Sequence, residues 1–187
     1  TGSHRWRVTI NGLGGHSWAD YGKIPSAIHA MARAIAKFVD LRPAADPKTS
    51  WTVGTIKGGT SVNSIAGSCS VDIDMRSTEN ESLEAIEAQI LSKFEEAVAE
   101  ENASWAVKDD SYLLTVTKEM IGNRPAGTRP DDCPVLQASR SAQKLLGIEM
   151  SSYVRSSTDA NAPMGAGIPS TCLGTGGRGV HTHNLKE

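Results

Sequence analysis

Residues 69–76 read Cys-Ser-Val-Asp-Ile-Asp-Met-Arg, with apolar side chains at 69, 71, 73 and 75 and polar ones between them. A repeat of two sorts these side chains only if the segment is extended, because successive strand residues point to opposite faces. One face must therefore be covered by apolar material while the other meets water. That combination belongs to an antiparallel sheet backed on one side.

The flanking sequence supplies both partners and cover. Residues 4–11 form a first strand with Trp6, Val8 and Ile10 on one face and Arg5, Arg7 and Thr9 on the other. Pro25 is well placed at a helix start, and Ile28, Met31, Ile35 and Phe38 follow at helical spacing to an end near Leu41. A second strand is expected over 51–56, ahead of the alternating one. Thr78 with Glu81 three residues on makes a capping box for a second helix, whose buried stripe is Leu83, Ile86, Ile90, Phe94 and Ala97. A last strand is expected within 104–118. The order β-α-β-β-α-β is a split βαβ unit. The fold class is α+β: a four-stranded antiparallel sheet with two helices on one face, ferredoxin-like, over residues 1–118.

Composition shifts at "IGNRPAGTRPDD". Beyond it come a helix over 135–146, a short strand over 149–154, then loop, short helix, buried strand and loop in "SSTDANAPMGAGIPSTCLGTGGRG". Residues 119–187 contain too few strands for a sheet with both faces covered, so they read as an incomplete α/β remnant. There is no internal repeat.

Bulk properties exclude several classes. A net charge of −2 over 187 residues offers no basic field for nucleic acid. No apolar run approaches the ~20 residues a membrane span needs, and the first residues lack a signal-peptide core. Three cysteines without framework spacing fit a reducing, cytoplasmic setting, with Cys69 and Cys172 as packing residues.

Chemistry could reside in four places. Glycines 12, 14 and 15 in "GLGGHSW" would hold His16 on a loop tip, either as a functional group or as an ordinary surface histidine. Asn63 in "GGTSVNSIAG" is a turn former or an amide that orients a substrate carboxylate or carbonyl. Arg76 shares a polar face with Asp72 and Asp74. It either pairs with one of them at the surface or offers a guanidinium fork to a carboxylate. The tail "GVHTHNLKE" places His181 and His183 one residue apart, the arrangement of metal-binding imidazoles. A zinc site needs three or four protein ligands, and neither Asp159 nor Glu187 makes a recognised pair with these histidines. The glutamate pairs 95–96 and 100–101 belong to a solvated helix face. The chain does not assemble a metal centre by itself.

Together "GSHRWRVTINGLGGHSW", "GGTSVNSIAG", "DIDMRS", "IGNRPAGTRP", "SSTDANAPMGAGIP" and "GTGGRGVHTHNLKE" occur in the order seen in metallopeptidase family twenty. The chain resembles that group, which includes carboxypeptidase G, aminoacylase, acetylornithine deacetylase, succinyl-diaminopimelate desuccinylase and the aminotripeptidases. The resemblance implies a di-zinc hydrolase of amide bonds in peptides or N-acyl amino acids, with cobalt or manganese left open as the metal. It implies an α/β catalytic domain interrupted by a βαββαβ lid that forms a homodimer. Residues 1–118 match the lid and 119–187 the last part of the catalytic domain. The N-terminal catalytic half, with its His-x-Asp ligand, bridging Asp and Glu-Glu pair, is not matched, so the piece is expected to be inactive alone.

By the same resemblance His16 is the lid histidine that stabilises the oxyanion in the partner subunit's site, and Asn63 and Arg76 hold the substrate. His183, followed four residues later by Glu187, takes the place of the last metal ligand, with His181 the less favoured choice. Thr158 and Asp159 line the site. A non-catalytic dimerisation module is the alternative for this piece. A ferredoxin-like RNA-binding module is disfavoured, because the third strand lacks an aromatic stacking pair and the net charge is slightly negative.

Overall fold

In the computed structural model, which describes residues 1–148, 153–154 and 156–174, the alternating segment is strand β5, Ser68–Ser77. Cys69, Val71, Ile73 and Met75 are at most 1 % exposed, while Asp72, Asp74 and Arg76 stay on the wetter side. β5 sits inside a four-stranded sheet of order β3-β5-β1-β6, with β1 over Gly2–Asn11, β3 over Thr49–Gly58 and β6 over Thr115–Arg124. Every neighbouring pair is antiparallel. Helices α1 (Ala27–Phe38) and α2 (Asn80–Ala103) cover the apolar face and pack on each other. Phe38 joins the layers, with ring centroids 5.3 Å from Trp51 of β3 and 5.7 Å from Phe94 of α2.

Several elements differ from the expectation, each for a local reason. α1 starts after Ser26, whose Oγ accepts the His29 N–H, with Pro25 two residues outside the helix and the end at Phe38. Its buried stripe is Ala27, Ala30, Met31, Ala34 and Phe38, and Ile28 is 41 % exposed. Alanines, which carry little weight in a search for large apolar residues, face the interior. Ile28 and Val39 are left on the outer surface.

The Thr78–Glu81 capping box does not form. The cap position is Glu79, with no side-chain bond. Thr78 still donates its N–H to the Lys48 carbonyl at 3.2 Å, as if the strand continued, and Ser77 Oγ instead accepts from Glu79 N–H. β6 begins later than expected because a 3-10 turn (Asp110–Tyr112) intervenes. Asn102 then grips Leu114 at both its N–H and its C=O, 2.9 and 3.1 Å. The strand therefore runs on past residue 118 to Arg124, paired opposite Ser3.

After β6 come α3 (Pro134–Leu145) and a one-turn helix, α4 (Asn161–Gly165). The short strand expected over 149–154 falls mostly outside the described residues. The apolar run after α4 forms no strand within the described residues: Ile168 and Leu173 are more than half exposed, and Cys172 is exposed rather than packed. Arg129 holds this segment by donating to Ser170 O and Thr171 Oγ1.

Glu101 does not lie on a solvated face. It is fully buried at the end of α2, where its carboxylate accepts from Arg33 Nε (2.8 Å), Trp105 Nε1 (2.8 Å) and Ser26 N–H (3.3 Å). Those bonds fasten the N-terminus of α1 to the C-terminus of α2. Burial pushes this carboxyl up, but the donors Trp105, Arg33 and Ser26, with the nearby His29, outweigh it and hold it below the usual carboxylate range. The folded value thus lies below the unfolded one, about 4.3, so Glu101 stabilises the fold above that pH and the contribution fades as pH falls through the folded value. Glu101→Gln is expected to cost about 2 kcal/mol at neutral pH by replacing charge-assisted bonds with neutral ones. It should also flatten the acid limb below about pH 4 in thermal denaturation followed across pH. An unchanged acid limb would contradict this assignment.

Candidate functional site

β1 and β5 are consecutive neighbours in the sheet, and the chain leaves β1 and enters β5 at the same end, where Asn11 pairs with Ser68. Gly12 N–H donates to Gly67 O at 2.7 Å and continues the pairing one step beyond the strands. A second small sheet then forms from β2 (Gly15–His16) and β4 (Ser64–Ile65), pairing Gly15 with Ile65 and His16 with Ser64. Ser17 N–H extends it to the Asn63 carbonyl at 3.0 Å. The close approach depends on Gly14: its φ is +70°, and a Cβ there would lie 2.8 Å from Ile65 O. His16 and Asn63 are thereby set on adjacent loops at one end of the sheet.

His16 is exposed but ordered by its own turn. Its N–H donates to Asp20 Oδ2 at 2.8 Å, and its carbonyl accepts from Asp20 N–H at 3.0 Å. Ring atom Nδ1 accepts from the N–H groups of Trp18 (3.2 Å) and Ala19 (3.4 Å). Asn63 is exposed, and its Oδ1 accepts from Ser61 Oγ at 2.7 Å, which makes Nδ2 the donor end of the amide. The same loops carry three apolar side chains, Leu13, Trp18 and Val62, each more than 60 % exposed.

Arg76 lies elsewhere. It is eight residues along β5 from Ser68, about 27 Å at the rise of an antiparallel strand. Its Nε donates to Asp74 Oδ2 at 2.6 Å, and Asp74 Oδ1 accepts from Arg5 Nε at 2.8 Å. Burial pushes the Asp74 carboxyl up, yet the two guanidinium groups, Arg76 then Arg5, bring it below its ordinary value. The parallel pair Arg7–Asp72, at 2.8 and 3.0 Å, lowers Asp72 through the hydrogen bonds from Arg7. Arg76 therefore belongs to an ion-pair ladder on the open face of the sheet, and one protomer does not bring it to His16.

His181, His183 and Glu187 lie outside the described residues. Among the described residues no group of three or more His, Cys, Asp or Glu is placed to hold a metal ion, and no helix is long and apolar enough to cross a membrane. Asp159 is highly exposed and pairs with Arg124 at 3.1 Å, while Thr158 N–H donates to Asn161 Oδ1 at 2.8 Å. Asn161, unremarked in the sequence, is 4 % exposed and donates from Nδ2 to both Thr1 O (2.9 Å) and Pro125 O (2.8 Å). It clasps the start of β1 to the chain leaving β6. Its only sequence signal is an Asn two residues beyond the Thr-Asp step.

Residues 1–102 match the family model described as the peptidase dimerisation domain. An uncharacterised protein of Bacillus subtilis (strain 168), YqjE, is 27% identical over 183 residues, covering 96% of this chain and 45% of that protein. The chain thus spans less than half the length of this relative. The fold is similar to aminopeptidase PepT from Bacillus cereus ATCC 10987, with a TM-score of 0.69 and 25% identity over 98% of this chain and 46% of that one. It is also similar to a tripeptidase from Staphylococcus aureus, with a TM-score of 0.70 and 22% identity over the same shares. With more than half of its length inside the family model, the chain belongs to the peptidase dimerisation domains of metallopeptidase family twenty.

Proposed function

We propose that this chain is the lid and flanking part of a metal-dependent amidohydrolase that cleaves an amide bond in a small peptide or an N-acyl amino acid. The observation that carries it is the β2–β4 pairing, which sets His16 beside Asn63 on ordered, exposed loops at one end of the sheet. The described residues do not fit a metal site. The metal ions, zinc with cobalt or manganese open, would be held chiefly by residues outside this chain, with His183 as one ligand. The chain's own contribution is to the substrate. His16 would donate a ring N–H to the oxygen on which negative charge develops, a contact that strengthens toward the transition state. Asn63 would donate from its amide to a substrate carbonyl or carboxylate. Arg76, at the far end of β5, joins them only in a site shared between protomers.

A shared site requires self-association, and the surface suited to it is α1 with the β3 edge. β3 is an outer strand of the sheet, so among the described residues one side of its backbone has no partner strand. Ile56 on β3 is 58 % exposed, Ile28 on α1 is 41 % exposed, and Val39, just past the end of α1, is 46 % exposed. Two copies related by a two-fold axis could pair these edges and bury those side chains. The same surface favours a second, compatible function, in which this piece acts as an association module without catalysis of its own.

Joined to the sequence that precedes it in the intact protein, the chain is expected to hydrolyse amides in a chelator-sensitive manner. His16→Ala should lower kcat by about 10²–10³. Hydrolysis indifferent to chelator, or unaltered by that substitution, would reject the proposal. In sedimentation the chain alone is expected to be a dimer at roughly tens of micromolar, and Ile56→Lys should shift it toward monomer. A monomer at that concentration would remove the shared site.

A further inference from the structure

Asp20 bonds both backbone polar groups of His16, and we infer that it is the positioning residue that holds the His16 ring with its proton on Nε2. The inference rests on the proposed role of His16 as a donor and explains how the chain secures it. Asp20 satisfies both backbone polar groups of His16: Oδ2 accepts its N–H at 2.8 Å, and the Asp20 N–H reaches its carbonyl at 3.0 Å. The carboxylate is seated against Gly15, where an added Cβ would come within 2.8 Å of Oδ2 and 2.5 Å of Ile24 Cδ1. Lys23 fastens the far side of the turn, its Nζ on Ala19 O at 2.6 Å and its N–H on Asp20 O at 3.1 Å.

Closure of the turn aims two backbone N–H groups, those of Trp18 and Ala19, at Nδ1. A ring nitrogen that accepts carries no proton, and a proton there would point at two other donors. The neutral ring therefore keeps its proton on Nε2, the other ring nitrogen. Contact through the backbone, rather than through the ring, is what matters. An aspartate bonded to Nδ1–H would fix the other tautomer and leave Nε2 as a proton acceptor, the arrangement of a general base. Here the aspartate holds the main chain, the main chain holds Nδ1, and Nε2 is left as a donor.

Long-range ¹H–¹⁵N correlation on the ¹⁵N-labelled chain, at a pH where the ring is neutral, reads which nitrogen carries the proton. His16 should be almost wholly the Nε2–H tautomer. Asp20→Asn keeps an acceptor oxygen in place and should preserve that ratio. Asp20→Ala should raise the Nδ1–H population about fivefold, the factor one ordinary hydrogen bond is worth, with backbone amide shifts of β1 and β5 reporting that the sheet persists. A wild-type ring protonated on Nδ1, an alanine variant with the wild-type ratio, or an asparagine variant shifted as far as alanine would each overturn the assignment. Should the alanine variant unfold, the wild-type and asparagine spectra still decide. No catalysis enters this readout, so failure in either Asp20 variant would leave the role of His16 standing, and only a wild-type ring protonated on Nδ1 would count against both. An active His16→Ala enzyme would end that role without touching the tautomer.

Discussion

Ten consecutive residue pairs join β1 to β5 without a break, from Gly2 opposite Ser77 to Asn11 opposite Ser68, and the placement of His16, Asn63 and Arg76 follows from that register. The loops bearing His16 and Asn63 leave from the Asn11–Ser68 end and can meet because their roots are already paired. Arg76, opposite Ser3, is carried to the other end by the same ladder. A slip of one residue would turn Val71, Ile73 and Met75 into water and bring Asp72 and Asp74 under the helices. Alternation in both strands thus fixes the fold and, through it, the distance between donor and guanidinium.

The two faces hold this register by different means. Under α1 and α2 the sheet contributes Val8, Ile10, Val71 and Ile73, all at most 1 % exposed, and shape-sensitive packing penalises any displacement. On the open face Arg5 stands opposite Asp74 and Arg7 opposite Asp72. Each such exposed pair is worth about 0–1 kcal/mol, too little to account for the fold. Their value is selective: a two-residue slip in either direction keeps one Arg–Asp pair and loses the other, setting Arg5 against Arg76 in one direction and leaving Arg7 opposite Ser70 in the other. Packing rejects odd slips and charge disfavours even ones.

Sequence period predicted what large side chains control. β1, β5 and the stripe of α2 were legible because Val, Ile, Leu and Phe recur on one face. The stripe of α1 was displaced because alanines do the facing, and an apolar pattern weights Ile28 above Ala27. Thr78 has the composition of a cap, but its N–H belongs to Lys48, a partner thirty residues away that no local pattern contains. Glu101 resembles its solvated neighbour Glu100, and only the meeting of two helices shows that Arg33 and Trp105 enclose it. At the site, the glycines marked the turn before His16 through Gly14 alone. His16 itself lies in the paired strand β2 rather than on a loop tip. The β2–β4 pairing did not show, because a two-residue strand is too short to have a period. Asp20 and Asn161 act on backbone groups, which every residue carries and sequence therefore cannot single out.

His16 and Asn63 sit at one end of the sheet and the clasp at the other, and this has a mechanical consequence. Asn161 binds Thr1 and Pro125 beside the Ser3–Arg124 end of the sheet, whereas His16 lies past the Asn11 end. A ten-residue strand is about 34 Å long, so a rotation of one degree at the clasp moves the far end by roughly 0.6 Å. Contacts to a reacting centre tolerate displacements of about that size before stabilisation is lost. The hydrogen bonds of Asn161 are therefore as relevant to the position of His16 as those of its own turn, since an unbroken β1–β5 ladder transmits rather than absorbs an error made at its base.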